Sequence, residues 1–111
     1  MAVGPSLGEF EQIVLLAILR LGEDAYGVTV GAEILACTGR ESAPGALYTT
    51  LDRLEKKGMI SSRLGDPTPQ RGGRAKRFFT INSKGLSAIT RAQRSFRLLL
   101  EGCELPGLNY A

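Results

Sequence analysis

The chain has 111 residues, of which 43% are hydrophobic and 23% charged, and its formal net charge is +3. These values predict one globular domain over residues 1–111 and exclude a disordered chain or a two-lobed enzyme with a deep cleft. The sequence has no histidine and two cysteines, so it holds no Ser-His-Asp triad, disulfide framework or structural zinc site. No metal, no other cofactor and no enzymatic activity are therefore expected. The sequence leaves open one alternative, a catalytic pair of carboxylates from distant positions.

The chain carries no pattern for export or membrane insertion. Its longest apolar run, residues 13–19, is far shorter than the ~20 residues of a membrane span. The N-terminal residues lack the charged and apolar regions of a signal peptide. We expect a soluble cytoplasmic protein with no membrane partner.

The first predicted element is a helix that starts near Ser6, which has capping-box spacing to Glu9, and stops at Gly22. Apolar residues recur along it at i, i+3 and i+4. They are Phe10, Ile13, Val14, Ala17, Ile18 and Leu21. Three further apolar residues lie off this stripe, namely Leu15, Leu16 and Leu19. The helix therefore needs burial on two sides, which its own domain or a second subunit can supply, and we expect both.

A second helix is predicted from about Tyr26 to Cys37, and Cys37 is expected to be a small buried side chain. The third helix follows closely. Ser42 is its expected N-cap, Pro44 suits its first turn, and Gly58 suits the position just past its end.

The third helix has two unlike faces. At ~100° per residue, one narrow face predicts packing against a core. That face holds Leu47, Leu51 and Leu54. The opposite face is small and polar near the helix N-terminus, and it is thin enough to enter a groove of ~12 Å. Its members are Gly45, Thr49, Asp52, Arg53 and Lys56. Tyr48 lies between the faces, where it either packs as a half-buried aromatic or reaches a phosphate.

Two strands are predicted next, at residues 59–64 and 75–81, joined by a ten-residue loop. Residues 63–77 contain five bases and one acid, whereas the other 96 residues contain nine bases and ten acids. The positive excess therefore lies in this hairpin, with Arg71 and Arg74 at a glycine tip and Lys76 beyond them. A helix, a strand, a basic loop and a strand are the order of a recognition helix and wing. We therefore favour contacts to a DNA backbone or minor groove over a solvated loop.

The last helix is predicted to follow the cap-like Asn82 and to cover residues 83–103, before a tail at residues 104–111. A seam of about two heptads lies along it. The seam residues are Ile89, Ala92, Phe96, Leu99 and Cys103. Such a seam is too short for an independent coiled coil, so it packs either on its own domain or on the first helix of a partner subunit.

Three segments resemble the PadR-like transcriptional regulators, in order over about residues 8–90. They are Ala25-Tyr-Gly27, Gly45-Ala-Leu-Tyr-Thr-Thr-Leu-Asp-Arg-Leu-Glu-Lys-Lys-Gly-Met-Ile60 and Arg74-Ala-Lys-Arg-Phe-Phe-Thr-Ile-Asn-Ser-Lys-Gly85. The resemblance implies a repressor that binds operators as a dimer, dimerises through its first and last helices, and often answers to a small aromatic or hydrophobic ligand. Two features differ from the family pattern. Asn82 stands where threonine is usual, and one helix with a tail replaces the several C-terminal helices of longer members.

Together these observations predict an α+β winged helix-turn-helix, with a DNA-binding core at residues 8–81 and a C-terminal dimerisation helix at residues 83–103. The predicted contacts to double-stranded DNA are Ser42, Ala43, Gly45, Tyr48, Thr49, Arg53, Arg71, Arg74 and Lys76. The predicted homodimer contacts are Phe10, Leu15, Leu19, Ile89, Ala92, Phe96 and Leu99. The alternative function is a winged-helix protein interaction module whose basic wing meets an acidic protein surface.

Overall fold

The structure is a computed structural model that describes residues 7–65 and 75–104. Within these residues the element order is α1 (Glu9–Leu21), α2 (Gly27–Thr38), α3 (Pro44–Lys56), β1 (Ile60–Leu64), β2 (Arg77–Ile81) and α4 (Ser83–Leu100). The two strands pair antiparallel, from Ile60 opposite Ile81 at one end to Leu64 opposite Arg77 at the other. Three helices, a two-stranded wing and a C-terminal helix form a winged helix, which confirms the predicted α+β fold.

Helix α1 lies at the centre of the fold and packs against α2, α3, β2 and α4. This position explains why α1 is apolar on more than one side. The largest fully buried side chains come from α1, α2, α3, β2 and the turn before β1: Val14, Leu15, Ile18, Val30, Ile34, Leu51, Leu54, Met59 and Phe79. The predicted leucine stripe of α3 is confirmed, since its three leucines are all buried in this core.

The helix starts differ in part from the prediction. The N-cap of α1 is Gly8, whose amide donates a hydrogen bond to Glu11 Oε1 at 2.8 Å, so the box expected from Ser6 and Glu9 is wrong. The N-cap of α3 is Ala43, because Pro44 already occupies the first helical position. The predicted cap of α4 is confirmed, since its side-chain oxygen accepts a hydrogen bond from the Gly85 amide at 3.1 Å.

The segment between α1 and α2 joins the wing sheet. Tyr26 forms an isolated antiparallel bridge with Phe78, and the Phe79 amide donates to the Ala25 carbonyl at 2.8 Å. The Tyr26 and Phe78 rings meet edge to face, with their centroids 5.3 Å apart. Helix α2 therefore begins after Tyr26 rather than at it, and the wing is bonded directly to the helical core.

The C-terminal region is shorter than predicted. Helix α4 ends at Leu100, so Cys103 lies beyond it and cannot extend the seam. Most of the predicted tail, residues 105–111, lies outside the described residues. None of the helices in the described part of the chain is long and apolar enough to cross a membrane.

Candidate nucleic-acid interface

The exposed face of α3 carries several of the predicted DNA contacts. Ala43, Gly45, Thr49 and Arg53 are all exposed, and the leucines of the opposite face are buried. Proline at the first position and small residues behind it keep this end of the helix thin. The geometry suits a helix that enters a major groove at its N-terminal end.

Tyr48 joins the two helices of the helix-turn-helix. A Cβ built on Gly27 would lie 2.2 Å from the Tyr48 hydroxyl oxygen, so the ring edge lies directly on the start of α2. The Tyr48 side chain is still 47% exposed. It is therefore half-buried and packed on one edge, and its contact with a phosphate stays a prediction.

Ser42 has a different environment from the one that the sequence suggested. It precedes the N-cap of α3, and its hydroxyl oxygen is buried without a hydrogen-bond partner among the described residues. An oxygen in this position does not face solvent. In this conformation the Ser42 hydroxyl therefore cannot contact DNA directly.

Basic side chains of the wing lie on aromatic rings. Lys76 Nζ lies 4.6 Å from the Tyr26 ring centroid and 3.4 Å from its hydroxyl oxygen. On the neighbouring strand, the Arg63 guanidinium lies 4.7 Å from the Phe78 ring centroid. These contacts hold cations above a rigid surface while both side chains stay exposed. The loop tip with Arg71 and Arg74 lies outside the described residues, so the roles of these two arginines stay predictions.

Arg77 forms ion pairs with carboxylates of α3, although in the sequence it is one of the bases next to the basic loop. Its Nη1 donates to Asp52 Oδ1 at 3.2 Å, and its Nη2 bonds Glu55. Glu55 also accepts a hydrogen bond from Ser62 Oγ at 2.7 Å. Sequence reasoning missed this cluster because its members come from α3 and from both strands of the wing.

Part of the predicted dimer surface is exposed on the protomer. Phe96 and Leu99 of α4 are 56% and 76% exposed, and Leu98 between them is 54% exposed. Leu15 and Ile89, however, are 0% and 4% exposed because they fill the core of their own protomer. Neither offers surface to a second subunit, so these two predicted contacts are wrong.

The other predicted dimer residues lie in different places. Phe10 is partly buried, and the Arg40 guanidinium covers its ring at 4.9 Å. Leu19 is exposed but lines a concavity on the wing side, next to Arg63. Ala92 is partly buried on α4. The apolar α1 residues that share a groove with Phe96 are instead Ile13 and Leu16, which the predicted contacts omitted.

A buried ion pair connects α1 with the end of α3. Lys57 Nζ donates to Glu11 Oε1 at 2.9 Å and to Oε2 at 2.8 Å, and the Glu11 side chain is 8% exposed. Burial by itself raises the pKa of Glu11, but the hydrogen bonds from Lys57 and the Gly8 amide, together with the positive charges of Lys57 and Arg53, outweigh burial. The pKa of Glu11 therefore lies below the usual carboxyl value, and Glu11 is charged at neutral pH.

The cysteines do not form a buried or metal-binding pair. Cys37 and Cys103 are both free and exposed, so the predicted burial of Cys37 is wrong. The Cys37 thiol donates to Glu33 Oε2 at 3.3 Å on the outer surface of α2. No group of His, Cys, Asp or Glu side chains within residues 7–65 and 75–104 is arranged to hold a metal ion.

Comparison with solved structures finds the same fold in several regulators. A transcriptional regulator from Clostridium thermocellum is 22% identical, with a TM-score of 0.69 over 82% of this chain and 82% of that chain. A PadR family transcriptional regulator from Eggerthella lenta DSM 2243 is 24% identical, with a TM-score of 0.64 over 85% and 81% of the two chains. The winged-helix DNA-binding protein F93 from STIV is 17% identical, with a TM-score of 0.67 over 86% and 96%.

Comparison of the sequence with family models gives a narrower result. The model of the transcriptional regulator PadR-like family matches residues 15–91. A search of curated proteins found no significant match. The matched residues include the second half of α1, all of α2 and α3, the wing and the first half of α4. The chain therefore belongs to the PadR-like family of transcriptional regulators, which are DNA-binding proteins and not enzymes.

Proposed function

We propose that this regulator is a homodimeric repressor that binds a two-fold operator and blocks a promoter. In this proposal α3 enters the major groove at its N-terminal end, and the basic wing contacts the backbone or minor groove. The exposed small and polar residues at the start of α3, namely Ala43, Gly45 and Thr49, support this orientation. A protein that regulates transcription acts where the DNA lies, so we also propose a cytoplasmic location.

The observation that carries the dimer proposal is the exposed apolar half of α4. Its first half is anchored in the protomer core by Gly85, Ala88 and Ile89. Beyond them, Phe96, Leu98 and Leu99 are each more than half exposed. A small protein gains by covering such side chains, and a second copy of the same helix or of α1 supplies the matching apolar surface.

We further propose that a small hydrophobic or aromatic ligand relieves repression by binding beside this surface. A groove of about 520 Å³ lies between α1 and α4, with Ile13, Leu16 and Phe96 among its walls. An apolar molecule in this groove would contact both helices that we assign to the dimer. Its binding would therefore change the distance between the two recognition helices. Operator binding depends on this distance, because it must match the separation of the two half-sites.

Substitution of the exposed α4 residues tests the dimer. Changing Phe96 and Leu99 together to Glu places charges in the proposed interface, and we expect monomers at about 20 µM, measured by sedimentation. Loss of the dimer should also lower operator affinity, because the two half-sites of an operator are bound by one dimer. Leu35→Glu is the matched control for sedimentation, since Leu35 is 47% exposed on α2 and does not line the groove between α1 and α4. A wild-type chain that sediments as a monomer at this concentration contradicts the proposal.

Retardation of DNA separates the regulator from the protein interaction module. We expect saturable, sequence-dependent retardation of the DNA upstream of the protein's own gene. Retardation that is absent even at low salt would instead favour the interaction module.

Salt dependence tests the wing. If Arg71 and Arg74 bind phosphates, changing each to Ala should weaken binding to operator and random DNA alike. The slope of log affinity against log salt should then fall by about 0.9 for each phosphate that a subunit no longer neutralises. Preferential weakening at A·T-rich sites would instead place Arg74 in a narrow minor groove. An unchanged affinity and slope in the double variant would mean that the wing is solvated.

A further inference from the structure

One arginine links the recognition helix to both strands of the wing. Arg77 reaches two carboxylates on successive turns of α3, with Nη1 3.2 Å from Asp52 Oδ1 and Nη2 bonded to Glu55. Ser62 on β1 donates its hydroxyl proton to the other oxygen of Glu55 at 2.7 Å. We call Asp52, Glu55, Ser62 and Arg77 the wing clamp.

The wing clamp lies where the wing most needs support. Arg77 pairs with Leu64 at the end of the ladder next to the loop, whereas Ile60 and Ile81 pair at the end next to α4. A two-stranded hairpin by itself is only marginally stable in water. The clamp therefore ties the outer end of the wing to α3, and the guanidinium also lies 5.1 Å from the Phe79 ring centroid.

The clamp also sets the charge on the recognition helix. Asp52 and Glu55 are the acidic residues of α3, and Arg77 pairs with both. Arg53 and Lys56 are exposed, and neither forms an ion pair with another described residue. Arg77 offsets one of these two negative charges, so α3 presents its cations to a polyanion with less repulsion from its own acids.

We propose that Arg77 is a positioning residue for DNA recognition, which fixes the angle between α3 and the wing. The inference rests on the proposed function, in which α3 reads bases while the wing contacts the backbone. Specific binding needs both contacts at one fixed spacing, whereas non-specific binding to phosphates does not. Loss of the clamp therefore lowers the preference for operator over random DNA more than it lowers general affinity.

Arg77→Lys is the decisive variant because it keeps the charge and removes the planar fork that bonds two carboxylates at once. The control is Arg20→Lys, since Arg20 also forms an exposed ion pair, with Glu33 of α2, but lies outside α3 and the wing. The probes are a duplex of the protein's own upstream DNA and a random duplex of equal length, titrated over a series of salt concentrations.

We expect Arg77→Lys to lower the operator preference about fivefold, as the loss of partly exposed ion pairs allows, with an unchanged salt slope. Arg20→Lys should leave the preference unchanged. An operator preference equal to that of the wild type in Arg77→Lys overturns the inference. A salt slope that falls by about 0.9 per subunit in Arg77→Ala, with the preference unchanged, also overturns it, because Arg77 would then bind a phosphate directly.

Glu55→Gln gives a second test in which simple electrostatics and positioning predict opposite signs. Removal of a negative charge beside DNA should tighten binding to every duplex if charge alone matters. Loss of the clamp should instead weaken operator binding while random-DNA binding holds or tightens. Equal tightening on both duplexes overturns the inference.

Thermal melts establish that each variant is folded at the assay temperature. Failure of the wild type to retard its upstream DNA would count against the proposed function itself. Wild-type retardation together with an unaltered Arg77→Lys variant would count against the wing clamp alone.

Discussion

Gly85 lies where α4 meets the turn that follows the recognition helix, and replacing it with Ala should destabilise the fold. A Cβ at this position would lie 2.4 Å from the Met59 carbonyl oxygen and 2.8 Å from Ile81 Cγ1. The first of these atoms is backbone and cannot rotate away. Since a carbon and an oxygen in contact normally lie about 3.3 Å apart, α4 or the turn must move by roughly 1 Å.

The magnitude follows from two opposing effects. Overpacking of this kind costs about 1–3 kcal/mol. Alanine is a better helix former than glycine by up to about 1 kcal/mol, and less of this gain applies in the first turn of α4. Because the clashing oxygen is backbone, the cost should lie near the upper end of its range. The net loss of stability should then be about 2 kcal/mol, which lowers the Tm by roughly 8–16 °C for a domain of this size.

The matched control is Gly45→Ala on α3. No heavy atom lies within 4 Å of a Cβ built on Gly45, so this change should raise the Tm through helix propensity alone. Circular dichroism melts of the two variants and the wild type give the comparison. A Gly85→Ala variant as stable as Gly45→Ala would refute the steric reasoning. If Gly45 also enters a DNA groove, its added methyl should weaken operator binding in spite of the gain in stability.

The remaining predictions concern α3 and the buried ion pair. Leu51→Ala removes a side chain that is 0% exposed, and it should lower the free energy of unfolding by about 2–5 kcal/mol in a denaturant titration. Thr49→Ala should instead leave that free energy unchanged and weaken operator binding by ~1 kcal/mol, and equal binding would contradict a base contact by Thr49. Because folding lowers the pKa of Glu11, its charge stabilises the folded state at pH values above the usual carboxyl pKa of about 4.3. This stabilisation is lost as the pH falls through the lower pKa of the folded state. Glu11→Gln should therefore be less stable than the wild type at pH 7, and denaturant titrations should show this gap narrow as the pH falls below the usual carboxyl pKa. A pH-independent gap would contradict this.

Local signals predicted most of the fold. These signals act between residues that are at most about one helical turn apart, so the sequence alone reveals them. Examples are the spacing of successive leucines at Leu47, Leu51 and Leu54, the proline that starts α3 and the cap at Asn82. The bridge between Tyr26 and Phe78 was not predicted. It is a single pair between a short connection and a distant strand, and an isolated pair has no sequence period.

The residues of the candidate site could be predicted from the sequence only where the apolar pattern of a single helix decides which side chains are exposed. The exposed face of α3 is such a case, since its leucine stripe determines which residues face outward. Leu15 and Leu16 are neighbours on α1, yet one is 0% and the other 37% exposed because α1 is covered on several sides. Arg77 shows the same limit for charge. Its carboxylate partners lie 22 and 25 residues away, so the sequence alone counted it as a free base of the loop.

The contacts around α3 give a reason why dimerisation and DNA binding would depend on each other. The end of α3 is bonded to α1 through Lys57 and Glu11, with an Nζ to Oε2 distance of 2.8 Å. The turn after α3 is bonded to the start of α4, because the Asn82 side chain donates to the Gly58 carbonyl at 2.7 Å. Both helices of the proposed dimer surface are therefore attached to the same end of the recognition helix. In the proposed dimer, a shift of α1 or α4 at that surface would move α3 or break these bonds, so the ends of α3 rather than the wing would set the spacing between the two recognition helices.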